Sequence, residues 1–232
     1  DYYASRGLGD VYKRQGFIFD VDGTILDSMS IWMDAGKLYL ESLGIKTDEN
    51  IGEVMFDLTM AEGAEYLKKN YGLDLSIEEI CDGINNRVFE FYDKEAMEKK
   101  YVRNFLEDAK EMGIKMTIAT STDRPMIEAA LKRLDLMKYF DEIFTTTEVG
   151  KGKASPDIFL KAMEKMGTTT ADTWLFEDAA YSMRTAKGMG LNTVGIYDES
   201  SAGNQEQVKE LADIYITDWS GYKDVMRKIE EK

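Results

Sequence analysis

The sequence predicts an α/β protein: a parallel sheet covered by helices, with a small helical domain inserted after the first strand. Two observations predict it. Short apolar runs of strand length alternate with helix-period segments through the second half of the chain, the pattern of a parallel sheet covered on both faces. Between about residues 27 and 100 the periodicity is helical, with no persuasive strand.

The first strand is "GFIFDV" (16–21), an apolar run ending on acidic residues. "SIWMDAGKLYLESLG", "TMAEGAEYLKKNYG" and "SIEEICDGINNRVFEFYDKEAMEKK" follow as the amphipathic helices of the insertion. Its aromatic residues, Trp32, Tyr39, Phe89 and Tyr92 among them, read as core. Then come strands in "IKMTIAT" (114–120), "DEIFTTT" (141–147), "TWLFED" (173–178), "NTVGIY" (192–197) and "ADIYIT" (212–217). "RPMIEAALKRLDL", "SPDIFLKAMEKMG" and "AYSMRTAKGMG" are helices, the last two stopped by glycine. The expected domains are 16–26 with 101–232 for the core and 27–100 for the insertion. Residues 1–15 show neither periodicity and read as an extraneous or disordered leader, a segment foreign to the fold or a native arm.

Composition narrows the chemistry. Lys and Arg total 29 against 44 Asp and Glu, a formal charge of -15. This disfavours a nucleic-acid partner, which requires a basic footprint. One cysteine and no histidine exclude an intrachain disulfide, a cysteine zinc cluster and any nucleophile that relies on a histidine base. No apolar run approaches the roughly 20 residues of a membrane span, so the expected location is the cytoplasm. The expected partner is a small metabolite, with the protein a monomer or weak homodimer.

Carboxylates and lysine are left to do the work, and their positions agree. In an open parallel sheet, ligands collect at the carboxyl ends of the strands. Asp20 and Asp22 close the first strand, Thr120 and Ser121 the second, and Glu177 and Asp178 a later one, with Lys153 in a loop between. Four carboxylates in one crevice repel unless a divalent cation offsets them. Oxygen ligands without histidine or thiolate suit Mg²⁺, which also accepts substrate phosphate. With such an ion Asp20 could attack phosphorus to give an aspartyl-phosphate. Asp22 could protonate the leaving oxygen and then deprotonate water, while lysine and a hydroxyl hold the remaining phosphate oxygens.

"FDVDGT" (19–24), "IAT" ending at Thr120, Lys153 in "GKASPDIF" and "LFEDA" (175–179) resemble, in order, the four signature motifs of the haloacid dehalogenase superfamily. The resemblance spans roughly residues 16 to 230 and is nearest to the β-phosphoglucomutase-like phosphatases and mutases. It implies a Rossmann-like core with a helical cap. It also implies Asp20 as nucleophile and Asp22 as acid/base, Thr120, Ser121 and Lys153 as phosphate ligands, and a Mg²⁺ site drawing on Asp20, Asp22, Glu177 and Asp178. An aspartate two residues after the nucleophile favours phosphoryl transfer over dehalogenation. Two departures stand out. "EKKYVRNF" replaces the Pro-Gly turn common where the cap rejoins the core, and the insertion lacks the histidine expected of a close sugar phosphomutase.

The expected activity is therefore a Mg²⁺-dependent phosphatase for a small phosphate monoester, with a sugar phosphomutase as alternative. A phospho-aspartate receiver also clusters acids, a hydroxyl and a lysine, but in a chain about half as long with no such insertion. A binding protein that has kept the site and lost catalysis is the remaining reading. "GKGK" (150–153) is no phosphate loop, because the upstream glycine and the following Ser or Thr are missing.

Overall fold

The computed structural model describes residues 15–56 and 58–232; most of the expected leader lies outside the described residues. These form two compact units: one from the residues up to Asp27 together with Met97–Lys232, the other Ser28–Ala96.

The first unit is built on β1 (Gly16–Phe19). A two-stranded antiparallel sheet, β2 (Leu26–Asp27) and β3 (Met97–Glu98), closes its entry and return. Strands of two residues carry no readable periodicity, so the sequence gives no sign of this pairing or of Asp27 and Met97–Lys100 belonging to this unit.

In the second unit, α1 (Ser30–Ser42), α2 (Ile51–Phe56), α3 (Met60–Tyr71) and α4 (Ile77–Lys94) pack together. α3 and α4 start at reciprocal capping boxes, Thr59 with Glu62 and Ser76 with Glu79, which satisfy helix-start N–H groups that have no intrahelical acceptor. Tyr39 and Tyr92 are core, as expected, whereas Trp32 and Phe89 are exposed. Helical periodicity places a residue on a face without saying what covers that face.

The first unit continues with α5 (Val102–Glu111), β4 (Lys115–Thr120), α6 (Arg124–Arg133), β5 (Glu142–Thr145), α7 (Thr146–Val149), α8 (Asp157–Met166), β6 (Thr173–Glu177), α9 (Ala180–Met189), β7 (Asn192–Ile196), α10 (Gln205–Leu211), β8 (Ile214–Ile216) and α11 (Tyr222–Glu230). Six strands form one parallel sheet in the order β5-β4-β1-β6-β7-β8. α8 and α9 end at Gly167 and Gly190 in the left-handed conformation expected of glycine stops.

Alternation along β1 sorts its side chains to two cores. Phe17 and Phe19 join Phe105, Phe176 and Trp219 in one aromatic cluster, the Phe19 and Phe176 rings stacked 4.6 Å apart. Ile18 packs with Leu175, Ala119, Phe159 and Met163 on the other face. A fully buried side chain of this size contributes about 1.5–3 kcal/mol, so β1 is well anchored where it must hold two acids. The cluster also fixes the loop after β1, since Trp219 Nε1 donates to the Thr24 carbonyl at 3.0 Å.

The departure at "EKKYVRNF" has a structural answer. Tyr101 caps α5 with φ 70°, so a tyrosine adopts the left-handed backbone that glycine takes freely. That conformation costs a non-glycine residue roughly 1–2 kcal/mol.

Candidate active site

Strand register builds the site. β1 pairs with β6 so that Phe19 opposes Phe176, and the Asp20 N–H continues the ladder to the Phe176 carbonyl at 3.0 Å. Asp20 is thereby set beside Glu177 and Asp178 at the carboxyl ends of adjacent central strands. β1 is also where the order of connections reverses, with β4 on one side and β6 on the other, the place where open α/β sheets bind ligands. Thr120 ends β4 on the same edge, and its Oγ1 accepts from the Thr122 N–H at 3.1 Å.

Lys153 enters from the loop between α7 and α8. It is 2% exposed, and its ammonium donates to Asp20 Oδ1 and, at 3.0 Å, to Glu177 Oε2. Glu177 accepts further bonds from the Ser182 hydroxyl at 2.6 Å and the Ala179 N–H at 3.2 Å. Asp20, Glu177 and Asp178 are all buried, and each offers an oxygen within 4.8 Å of the others.

Gly23 makes this approach possible. Its φ is +82°, and a Cβ there would stand 2.8 Å from Asp178 Oδ2. The glycine of "DVDGT" is thus required twice, by backbone conformation and by proximity.

The cluster has three carboxylates against one ammonium. Burial, reinforced by the charge of Glu177, pushes the Asp20 carboxyl up to about 8 despite Lys153. Burial and the charges of Glu177 and Asp20 push Asp178 up to about 9. Burial alone would lower the Lys153 ammonium, but Asp20 and Glu177 outweigh it and hold it above its ordinary value. Such an excess of buried negative charge is what a bound cation relieves. The donor set, all carboxylate oxygen, fits a hard divalent ion.

Of the residues singled out in the sequence, Asp20, Glu177, Asp178 and Lys153 meet directly. Asp22 is near enough for its charge to act on Asp20 but is not in the close carboxylate group. Its Oδ2 instead accepts from the Thr122 hydroxyl at 2.7 Å. Of the four acids expected around the metal, three therefore stand as one close group, and the Asp22 carboxylate points to Thr122. Ser121, expected with Thr120, is exposed rather than buried, and it meets the hydroxyl of half-exposed Tyr181 in the first turn of α9. Thr122, Ser182 and Tyr181 escaped the sequence reading. Three consecutive hydroxyl residues beginning at the last residue of β4, Thr120 to Thr122, were the available signal for Thr122; nothing local marks the other two.

Comparison with known proteins gives the family. The family described as Haloacid dehalogenase-like hydrolase matches residues 17–196. The chain is 28% identical over 180 residues to the Phosphorylated carbohydrates phosphatase of Thermotoga maritima, covering 78% of this chain and 83% of that one. It is 26% identical over 199 residues to the Fructose-1-phosphate phosphatase YqaB of Escherichia coli, covering 80% and 98%. Among solved structures, a candidate beta-phosphoglucomutase from Thermotoga maritima superposes with a TM-score of 0.82 at 25% identity, covering 92% of this chain and 99% of that one. With its motifs in order on a sheet of this topology, the chain belongs to the haloacid dehalogenase-like hydrolase family.

Proposed function

We propose that the protein is a Mg²⁺-dependent phosphatase acting on a small phosphorylated carbohydrate or similar monoester, through an aspartyl-phosphate on Asp20. The observation that carries this reading is the convergence of Asp20, Glu177, Asp178 and Lys153 at the carboxyl ends of β1 and β6. The names of the relatives support the substrate class.

In this reading Asp20 and Asp178 hold Mg²⁺, with Glu177 beside them. The ion, when bound, offsets the charge of carboxylates and phosphate so that an anionic nucleophile can approach phosphorus. A carboxylate oxygen of Asp20 bonds to phosphorus as the ester P–O bond breaks, and protonated Asp22 gives its proton to the departing oxygen. Asp22, now ionised, takes a proton from water as the water oxygen bonds to phosphorus. The aspartyl O–P bond then breaks, releasing inorganic phosphate and restoring Asp20. Lys153, Thr120 and Ser121 orient the phosphate oxygens, and Glu177 holds Lys153 in place.

The test is phosphate release from a panel of sugar phosphates, nucleotides and simple monoesters, with Mg²⁺ and with chelator. Metal-dependent release that is absent in Asp20→Asn is the expected result. Release that persists in that variant overturns the nucleophile. Substrate isomerisation without net phosphate release would give the mutase instead.

A further inference from the structure

Thr122 stands two residues beyond the end of β4 and takes no part in the chemistry above. It is 5% exposed, and its hydroxyl donates at 2.7 Å to Asp22 Oδ2, itself on a buried residue. The two residues are one hundred positions apart in the chain. Both ends of the contact are independently fixed. The Thr122 N–H is tied to Thr120 Oγ1 at the strand end. The loop carrying Asp22 is tied by the Gly23 N–H to the Leu26 carbonyl at 3.0 Å and by Trp219 to the Thr24 carbonyl.

We propose that Thr122 is the positioning residue for Asp22, holding its carboxyl in the orientation needed to exchange a proton with the leaving oxygen and then with water. This rests on the phosphatase reading above. Asp22 lies two residues from Asp20, and a free carboxylate there would be drawn toward any cation held by Asp20 and Asp178. A short hydrogen bond from a hydroxyl donor fixes one oxygen of Asp22 and with it the plane of the group. Proton transfer requires the acid within hydrogen-bond reach of the reacting oxygen, so a fixed plane is worth more here than flexibility. Threonine suits the task because its branched Cβ restricts χ1.

The consequence depends on the leaving group. An alkoxide leaving a sugar phosphate needs a proton as the ester bond breaks, whereas 4-nitrophenolate leaves without one. The value of kcat/KM reports steps through release of the alcohol, so it isolates the acid role of Asp22. With Mg²⁺ present, Thr122→Val, which is nearly isosteric and removes the donor, should lower kcat/KM by about 10-fold or more on the best sugar phosphate, a fraction of the 10²–10⁴ of a general acid. On 4-nitrophenyl phosphate the loss should be under about 3-fold, since little proton transfer is needed there. Thr122→Ser, which keeps the donor, should restore most of the loss, and Thr122→Ala should repeat the valine pattern if valine perturbs folding. Equal losses on both esters, no loss on either, or failure of serine to rescue would overturn the proposal. Wild-type protein that releases phosphate from neither ester would instead overturn the phosphatase reading.

Discussion

The two ends of the same sheet treat buried acids in opposite ways. At the carboxyl ends of β1 and β6, Asp20 and Glu177 share one ammonium, Lys153, with Asp178 close by, and burial raises Asp20 and Asp178 to about 8 and about 9. At the amino ends of β7 and β8, Asp213 has two ammonium groups to itself. Lys187 stands at 2.9 Å and Lys232 at 2.8 Å, and the Thr193 N–H donates at 2.9 Å. Partial burial there is outweighed by these bonds, and Asp213 is lowered to about 2. The second cluster is complete and ties strands together. The first carries an excess of buried negative charge, and acids perturbed in this way at the carboxyl edge of a parallel sheet point to function rather than stability.

The contrast is broken most directly at Asp20. Asp20→Asn should reduce phosphate release by at least about 10³-fold by removing the nucleophile, while the melting temperature holds or rises because a crowded charge is gone. A melting temperature many degrees lower would show that the carboxyl edge contributes stability after all. Gly23→Ala comes next. A Cβ pressing on Asp178, at a left-handed φ, should cut turnover by about 10-fold or more and cost about 1–2 kcal/mol from the backbone alone, read by kinetics and chemical denaturation together.

Metal sharpens the same comparison. Mg²⁺ at about 100 times its Kd should stabilise the wild type by about 2.7 kcal/mol, a rise of about 5–10 °C for a chain of this size. Asp178→Asn should lose most of that rise in the same thermal scan, whereas Asp213→Asn should keep it. The smallest effect belongs to the amino edge. Asp213 is lowered in the folded state, so its contribution is present above its unfolded value near 4 and is lost as pH falls through about 2. Discounted for partial exposure, Asp213→Asn should cost about 1 kcal/mol near neutrality, leave turnover unchanged, and flatten the stability profile between those two pH values. Denaturant midpoints measured across that range would check it.

Much of this was legible in the chain. β1 is a run of apolar residues because it is buried on both faces, and the acids that end it announce a ligand edge. Gly167 and Gly190 stop their helices as read. Other features lay beyond local pattern. The strands Leu26–Asp27 and Met97–Glu98 are too short to alternate, and Trp32 and Phe89 are partly exposed although their helices are amphipathic in pattern. Tyr101 keeps a glycine-like backbone that its side chain would argue against.

By itself the sequence determined the residue types available for chemistry, with no histidine and acids at strand ends, and so pointed to carboxylates and a hard cation. It also determined the alternation that makes the sheet parallel. Only the tertiary structure decided which groups meet: Asp20, Glu177 and Asp178 gather in one cluster beside Lys153, and Asp22 turns to Thr122. The reason is physical. Periodicity and composition act over a few neighbouring residues, whereas the direction of a carboxylate is set by contacts between strands and loops far apart in the chain.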